Sequence, residues 1–218
     1  MTKSVKTRPT ILIAAGPTRE RIDPVRFISN YSTGTFGYEL ADAAIRRGAR
    51  VILVSGPTHL ESPRGAKVIR VESALDMRRV VLSELKEADY VIMAAAVSDW
   101  RPKKASARKI KRTSGKITLE LIENPDILSE VCARKEGRVV AGFALETENL
   151  EKNALKKLLG KNADLIVANA LKRRTPVFGD SNIDIVVIDR LGNKHRVRNK
   201  SKRDLAKIIL DKVLSFNI

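Results

Sequence analysis

Short runs of β-branched and aliphatic residues alternate with amphipathic helical stretches along most of the chain. Six runs predict strands, at Thr10–Ala15, Arg50–Ser55, Lys67–Val71, Tyr90–Ala96, Val139–Phe143 and Leu165–Asn169. Helical spacing and capping residues predict helices over Gly34–Arg47, after Ser73, after Asn124-Pro125-Asp126, over Glu148–Leu159 and over Ser201–Leu214. This alternation is typical of a parallel sheet covered on both faces, so we expect a Rossmann-like three-layer α/β fold with a mostly parallel sheet.

Two regions depart from this rhythm and predict hairpins. Alternating polar and apolar residues over Lys116–Leu121 follow Thr113-Ser114-Gly115, which predicts a hairpin over Lys109–Ile122 within a flap at about residues 103–122. A second hairpin is predicted from Asp184–Ile188 and Lys194–Arg198. We expect both pairs to protrude from the sheet as lids or dimer contacts. No linker-like stretch interrupts the chain, so we expect a single domain over residues 1–218.

The chain is strongly basic, with 42 Lys and Arg against 25 Asp and Glu and a formal net charge of +17. Such a surface attracts anions, either nucleic acid or phosphorylated metabolites. Clusters such as Lys172-Arg173-Arg174 and Lys200–Arg203 suit a nucleic-acid surface. However, aromatic residues make up only 4% of the chain, and no helix-turn-helix, zinc-finger or aromatic RNA-binding signature accompanies the clusters. We therefore consider nucleic acid an improbable partner.

Neither membrane insertion nor cysteine chemistry is expected. No apolar run approaches the roughly 20 residues of a membrane span, and the basic segment Met1–Pro9 has no apolar core behind it. We expect a cytoplasmic protein without a membrane partner. Cys132 is the single cysteine, which excludes a disulfide within one chain and a cysteine-based metal cluster. Its place in a predicted helix indicates a packed, inert thiol.

The loop between the first strand and the first helix is a candidate anion site. The strand ends at Ala14-Ala15-Gly16 without the G-x-G-x-x-G turn of dinucleotide-binding proteins, which disfavours a nicotinamide enzyme. Ser32, Thr33 and Gly34 instead lead into a helix N-terminus, where exposed N–H groups and the helix dipole favour a phosphate or carboxylate. The same residues are also compatible with a purely structural helix cap.

Three further features are candidates for ligand binding. Small residues from Ala94 onward end the fourth strand and admit a planar ligand, and Asp99 then suits a metal, a ribose hydroxyl or a turn cap. Lys109 on the flap reaches phosphates when a lid closes, or is solvated surface. Lys157 and Lys161 are four residues apart, which suits a triphosphate or an ordinary exposed helix face.

Several stretches, in the same order over nearly the whole chain, resemble the phosphopantothenate-cysteine ligase family. The resemblance is to the bacterial and archaeal kind that forms the C-terminal half of a bifunctional flavoprotein. The matching stretches are Ala15–Glu20, Ile22–Asn30, Ala94–Pro102, Lys109–Lys111, Asn124–Ile127, Gly142–Ala144 and Ala168-Asn169. The resemblance implies a Rossmann-like sheet with a dimerising extension, and therefore a homodimer.

The implied reaction joins 4'-phosphopantothenate to L-cysteine in coenzyme A biosynthesis. The carboxylate attacks the α-phosphate of CTP to give an acyl-cytidylate and pyrophosphate, and the cysteine amine then displaces CMP. ATP is the alternative nucleotide. Mg²⁺ bridging phosphate oxygens is the implied cofactor, with no metal site assigned to protein residues. The flavin-dependent decarboxylase half of such proteins has no counterpart in these residues, so we expect no FMN.

The resemblance also implies roles for individual residues. Asn30 would hold the acyl-nucleotide, Arg26 would support its loop or the acidic substrate, and Lys109 would reach the phosphates. The implied nucleotide site comprises Ala94, Ala95, Asp99, Lys109, Pro125, Asp126, Ile127, Leu128, Phe143, Lys157 and Lys161. Arg21, Trp100 and Glu123 depart from the family pattern, and Glu123 alters the charge expected near the pocket entrance.

Overall fold

The computed structural model describes residues 8–112, 115–171 and 181–216. The basic cluster Lys172–Arg174 and the turn residues Thr113 and Ser114 lie outside the described residues. Within the described ranges, no helix combines the length and apolar character needed to cross a membrane.

The elements form a three-layer α/β fold, as predicted. The strands are β1 (Thr10–Ala15), β2 (Arg19–Arg21), β3 (Phe27–Ser29), β4 (Arg50–Ser55), β5 (Ala66–Arg70), β6 (Tyr90–Met93), β7 (Trp100–Pro102), β8 (Leu121–Glu123), β9 (Val139–Glu146), β10 (Leu165–Ala170), β11 (Ile183–Asp189) and β12 (Lys194–Lys200). The helices are α1 (Thr35–Arg46), α2 (Ala74–Glu84), α3 (Ile127–Ala133), α4 (Leu150–Lys161) and α5 (Lys202–Leu214).

The central sheet has eight strands in the order β12-β11-β10-β9-β6-β1-β4-β5. Six of these strands, β1, β4, β5, β6, β9 and β10, are parallel, and β11 and β12 are antiparallel to their neighbours. From β1 the chain moves outward through β4 and β5, then returns to β6 on the other side of β1. The carboxyl ends of β1 and β6 therefore form a topological switch point, where open α/β sheets bind their ligands.

Both faces of the sheet are covered by helices. Ile11 and Ile13 of β1 pack in a buried cluster with residues of α1 and α5, whereas Leu12 and Ala14 pack with residues of α2, α3 and α4. All four side chains are fully buried. Burial on both sides explains why these strands read as continuous apolar runs rather than as alternating ones.

The helices begin where the capping residues predict. Ser73 and Asp76 form a reciprocal capping box at α2, since each side chain accepts a hydrogen bond from the other's backbone N–H. Asp126 caps α3 by accepting from the Ser129 N–H, and Ser201 caps α5 in the same way. These side chains satisfy N–H groups that have no partner inside a helix.

The predicted flap hairpin is wrong in its strand positions. The strand expected over Lys116–Leu121 is absent, and β8 instead begins at Leu121 and pairs with β7. Residues 103–112 and 115–120 form no strand between these two. Ile117 is 64% exposed, so the alternating pattern has no buried face to stabilise a strand there.

Two other regions differ from the predictions. The second hairpin, β11 and β12, does not protrude, because it continues the central sheet beyond β10. A short hairpin of β2 and β3 also forms in a stretch that was expected to be irregular. The fourth predicted strand ends at Met93 rather than Ala96, although Ala96 still pairs with Pro17 in an isolated parallel bridge.

Candidate active site

The loop after β3 is joined to the ends of β1 and β6. Asn30 donates from Nδ2 to the Ala96 carbonyl oxygen over 2.9 Å, and Ser29 donates from Oγ to the Thr18 carbonyl oxygen over 2.7 Å. These bonds hold the polar loop against the switch point of the sheet. The loop and the residues after β6, which are far apart in sequence, thus form one wall.

A first cavity of about 480 Å³ lies between the end of β6 and helices α3 and α4. It brings together most of the residues predicted to bind a nucleotide. These are Ala95, Asp99, Pro125, Asp126, Ile127, Leu128, Phe143, Lys157 and Lys161.

A second cavity of about 540 Å³ adjoins the first. The predicted residues on its wall are Asn30, Ser32, Thr33, Gly34 and Ala94. Ala95, Val97, Asp99, Phe143 and Lys157 line both cavities, so a ligand in one lies next to a ligand in the other.

Glycine allows the loop to approach the sheet closely. Gly34 has a φ of +83°, and a Cβ there would lie 3.2 Å from the Gly16 Cα. A Cβ on Gly37 would lie 2.4 Å from the Ala15 Cβ, which no packed side chain tolerates. Gly34 is the N-cap of α1, where no side-chain capping bond forms, and Gly34, Thr35 and Phe36 line the second cavity, so the start of α1 lies on the wall of that cavity.

The two lysines of α4 have different surroundings. Lys157 donates from Nζ to the Phe143 carbonyl oxygen over 2.8 Å. Burial, followed by the nearby Lys161 charge, lowers the pKa of Lys157 from its ordinary value. Lys161 forms an ion pair of 2.6 Å with Asp126. The spacing of four residues therefore places both lysines on one cavity wall, but Lys161 already has an acidic partner.

Three carboxylates line the first cavity, those of Asp99, Glu123 and Asp126. Burial opposes ionisation of Asp126, but hydrogen bonds from Lys161 and Ser129 outweigh it and lower its pKa. Asp99 is exposed, and the described residues supply no hydrogen bond or ion pair to its carboxylate. Its backbone carbonyl accepts from the Asn124 N–H over 2.8 Å, which joins the loop after β6 to the start of α3. Asp99 is thus positioned by its backbone, with its carboxylate available to a ligand.

Lys109 and Arg26 line neither cavity. The Arg26 guanidinium instead bonds to the Asp23 carboxylate and, over 2.7 Å, to the Ile110 carbonyl oxygen. Lys109 is exposed on the same segment. Of the two roles predicted for Arg26, the contacts favour support of a loop over contact with a substrate.

Several residues that line the cavities were not predicted to bind a ligand. They are Trp100 and Asn124 in the first cavity and Lys202 in the second, while Glu123, expected near the pocket entrance, also lines the first. Lys202 is only 7% exposed, although it is the first residue of α5 and belongs to a basic run that looks like solvated surface. No periodicity would have revealed Lys202, because its position depends on the path of β11 and β12.

The cavities do not form a preorganised protein metal site. Among the described residues, no group of three or more His, Cys, Asp or Glu side chains is arranged to hold a metal ion. Cys132 is buried in α3, where burial raises the pKa of its thiol to about 11. The prediction of a packed cysteine is confirmed.

The chain matches known proteins over nearly its full length. The family model of the DNA/pantothenate metabolism flavoprotein C-terminal domain matches residues 7–216. The coenzyme A biosynthesis bifunctional protein CoaBC of Bacillus subtilis (strain 168) is 47% identical over 209 residues, which are 95% of this chain and 51% of that protein. A cysteine/cysteine sulfinic acid decarboxylase from an unknown prokaryotic organism is 44% identical over 207 residues, 94% of this chain and 58% of that protein.

A solved structure supports the same relationship. The crystal structure of the C-terminal domain of a CoaBC protein has a TM-score of 0.81 and 39% identity, covering 94% of this chain and 93% of that one. This chain spans about half the length of the curated relatives it matches. With a match over residues 7–216, the chain belongs to the family of the DNA/pantothenate metabolism flavoprotein C-terminal domain.

Proposed function

We propose that this chain is a phosphopantothenate-cysteine ligase, which joins 4'-phosphopantothenate to L-cysteine. The observation that carries the proposal is the first cavity, which gathers nine residues predicted to bind a nucleotide from four separate stretches of sequence. The CoaBC relatives are bifunctional proteins of coenzyme A biosynthesis, which supports the same pathway. Because those relatives are about twice as long, the assignment applies only to the half that this chain matches.

The proposed reaction has two steps, each of which conserves its atoms. A carboxylate oxygen of phosphopantothenate attacks the α-phosphorus of CTP, and the bond to the β-phosphate bridging oxygen breaks to release pyrophosphate. The amine of cysteine then attacks the acyl carbon, loses a proton and releases CMP. Neither step requires a protein nucleophile, so positioning and charge stabilisation supply the catalysis.

The first cavity would bind CTP. Ala95 would contact the base through its backbone, with Ala94 next to it on the wall of the second cavity, while Pro125–Leu128 and Phe143 would form the wall of the base pocket. Lys157 and Lys161 would bind phosphate oxygens. Because Lys161 already pairs with Asp126 at 2.6 Å, a triphosphate would share or replace that partner.

The second cavity would bind phosphopantothenate. Its phosphate would accept hydrogen bonds at Ser32, Thr33 and Gly34, next to the positive end of α1. Lys202, on the wall of the same cavity, supplies a further positive charge for this substrate. Asn30, which lies on the wall of the second cavity and is bonded to Ala96, would donate to the acyl-nucleotide.

Mg²⁺ would be held mainly by the nucleotide phosphates. Magnesium sites in nucleotide enzymes use one or two carboxylates together with phosphate oxygens, and the Asp99 carboxylate would supply such a ligand. When bound there, the ion would neutralise charge on the phosphates. We propose no flavin site for this chain, and the homodimer remains a prediction.

The test is pyrophosphate release from the purified chain with Mg²⁺ and phosphopantothenate, comparing CTP with ATP. Release that requires phosphopantothenate and is faster with CTP is the expected result. Faster release with ATP would keep the ligase and overturn the nucleotide assignment. No release with either nucleotide, from protein whose fold is verified by circular dichroism, would contradict the proposed function.

A further inference from the structure

A buried carboxylate lies in the connection between β2 and β3, outside both cavities. Asp23 is 1% exposed. Its Oδ1 accepts from the backbone N–H groups of Val25 and Arg26 at 2.8 and 2.9 Å, and its Oδ2 accepts from Arg26 Nε at 3.0 Å. Such a group is costly to bury unless it is paired, so its position is well defined by these bonds.

The same carboxylate reaches a segment that is distant in sequence. Asp23 Oδ2 accepts from the Ile110 N–H over 3.1 Å, and the Arg26 guanidinium donates to the Ile110 carbonyl oxygen over 2.7 Å. Both backbone polar groups of Ile110 are therefore held by this one ion pair. A third bond, from the Ser106 N–H to the Ile22 carbonyl oxygen at 2.8 Å, joins the segment that contains Ile110 to the connection between β2 and β3.

The charge on Asp23 is maintained at neutral pH. Burial alone would favour the protonated acid, but the bonds from Arg26, Val25 and Ile110 outweigh it and hold the pKa of the Asp23 carboxyl well below its ordinary value. A protonated or neutral side chain at this position would lose the charge-assisted part of those bonds.

We call the Asp23–Arg26 pair, with its two bonds to Ile110, the anchor. It lies between Asn30 and Lys109, two residues for which the family resemblance implies catalytic roles. Lys109 directly precedes the anchored Ile110, and Asn30 follows Arg26 after the short strand β3. Four extended residues from Arg26 to Asn30 span about 13 Å. The β2–β3 hairpin therefore connects the base of the Lys109 segment to the wall of the second cavity.

We propose that Asp23 is a positioning residue that fixes the backbone of the Lys109 segment, so that the Lys109 side chain reaches the reacting phosphates from a fixed base. This inference rests on the proposed function. It assigns to the buried Asp23–Arg26 pair a role in turnover rather than in stability alone. Asp23 itself contacts neither substrate.

The test combines Asp23→Asn with Lys109→Gln in a double-mutant cycle. Asp23→Asn places an amide against the Ile110 N–H, and a misplaced Lys109 should lower kcat by about 10- to 100-fold. If Asp23 acts through Lys109, adding Asp23→Asn to Lys109→Gln causes no further loss of kcat. Losses that multiply in the double variant, or an unchanged kcat in Asp23→Asn, would overturn the proposal.

A second readout needs no substrate. Trypsin cleaves after Lys103, Lys104, Arg108, Lys109 and Lys111, and the anchor should protect these sites in the wild type. Asp23→Asn should raise the initial cleavage rate and the hydrogen exchange of peptides containing Ile110. Wild-type rates in the variant would refute the anchor, whereas a protected wild type without ligase activity would refute only the proposed function.

If Asp23→Asn does not fold, the bond between the Ile110 N–H and the Asp23 carboxylate can be removed by changing Ile110 instead. Ile110→Pro removes the N–H that Asp23 accepts, and Ile117→Pro is the matched control, since Ile117 is 64% exposed on the same segment. Because trypsin does not cleave a bond that precedes proline, cleavage is compared after Arg108 and Lys111, and faster cleavage there in Ile110→Pro than in Ile117→Pro supports the anchor. Equal cleavage in the two variants contradicts it.

Discussion

At the scale of single residues, the candidate site depends on a few side chains whose chemistry differs from their surroundings. Lys157 is half-buried and its ammonium group donates to a carbonyl oxygen, whereas Lys156 beside it is exposed. Asn30 bridges two strand ends through one amide. Lys157 and Asn30 are therefore the side chains at which a substitution should affect the candidate site most directly.

Lys157→Met should weaken binding of the nucleotide. The variant keeps the apolar part of the side chain but removes the charge at the junction of both cavities, so we expect KM for CTP to rise at least about tenfold, the effect of losing one charge-assisted hydrogen bond. Steady-state kinetics measure the change, and Lys156→Met on the exposed face is the control. Equal KM values for the two variants would contradict the assignment.

Asn30→Asp should lower turnover strongly. The substitution removes the donor to the Ala96 carbonyl oxygen, now 2.9 Å away, and places a negative charge beside the proposed phosphates. We expect kcat to fall about 100-fold or more, as for loss of a transition-state donor. Asn30→Ser, which removes the amide without adding charge, should lose less. Normal turnover in Asn30→Asp would refute the role.

At the scale of elements, helices α2 and α3 are joined by a two-point ion pair. Arg78 donates from Nε and Nη2 to the two carboxylate oxygens of Glu130, at 2.7 and 2.8 Å. The bonds from Arg78, opposed by burial, lower the pKa of Glu130 from its ordinary value. Asp126, which caps α3 and lies in the first cavity, begins the same helix, so this pair helps to place one wall of the site.

Glu130→Gln should reduce stability in a pH-dependent way. Because the folded-state pKa of Glu130 is lowered, its contribution is present above the unfolded value near 4.5 and is lost as pH falls through the folded value. We expect a cost of about 1 kcal/mol at pH 7, measured by urea unfolding, since both side chains are partly exposed. The cost should shrink below pH 4. Glu61→Gln, on an exposed loop, should cost little at any pH.

The elements differ in how far the sequence predicts them. The strands β1 and β4 match their predicted bounds because runs buried on both faces leave a strong pattern. The alternation of polar and apolar residues over Lys116–Leu121 predicted a strand that does not form, because this exposed segment has the pattern without a partner strand. The β2–β3 hairpin was missed because Arg19-Glu20-Arg21 lacks β-forming residues, and its Glu20 is instead buried as an acceptor from the Ala74 N–H.

The candidate site shows the same division. Residues at strand ends and at the start of α3, such as Ala95 and Asp126, follow from the order of elements along the chain. The Asp126 partner of Lys161 and the approach of Lys202 do not, because each depends on where distant elements pack. The family resemblance identified the candidate residues, and the tertiary structure determines which of them line the same cavity.

At the scale of the whole molecule, the edge of the sheet bears on the predicted homodimer. The outermost strand β12 is exposed and basic, and Lys194 and Arg196 pair with Glu151 of α4. Charged edge strands disfavour pairing with a second sheet. A dimer, and the single domain over residues 1–218, remain predictions. We propose that any dimer contact involves the exposed residues 115–120 before β8 rather than β12.

Light scattering tests the dimer. We expect a mass of twice the 24.2 kDa chain at micromolar concentration. Ile117 is 64% exposed, and the substitution Ile117→Lys would place a charge in the contact if this segment forms it. The measured mass should then shift toward that of one chain. A wild-type mass of a single chain would contradict the homodimer.

The most direct measurement is mass spectrometry of the reaction products formed by the purified chain with Mg²⁺, CTP and phosphopantothenate. Without cysteine, we expect the mass of an acyl-cytidylate, formed in amounts up to that of the protein. With cysteine, we expect phosphopantothenoylcysteine together with CMP. Intact phosphopantothenate in both reactions, from protein of verified fold, would contradict the account.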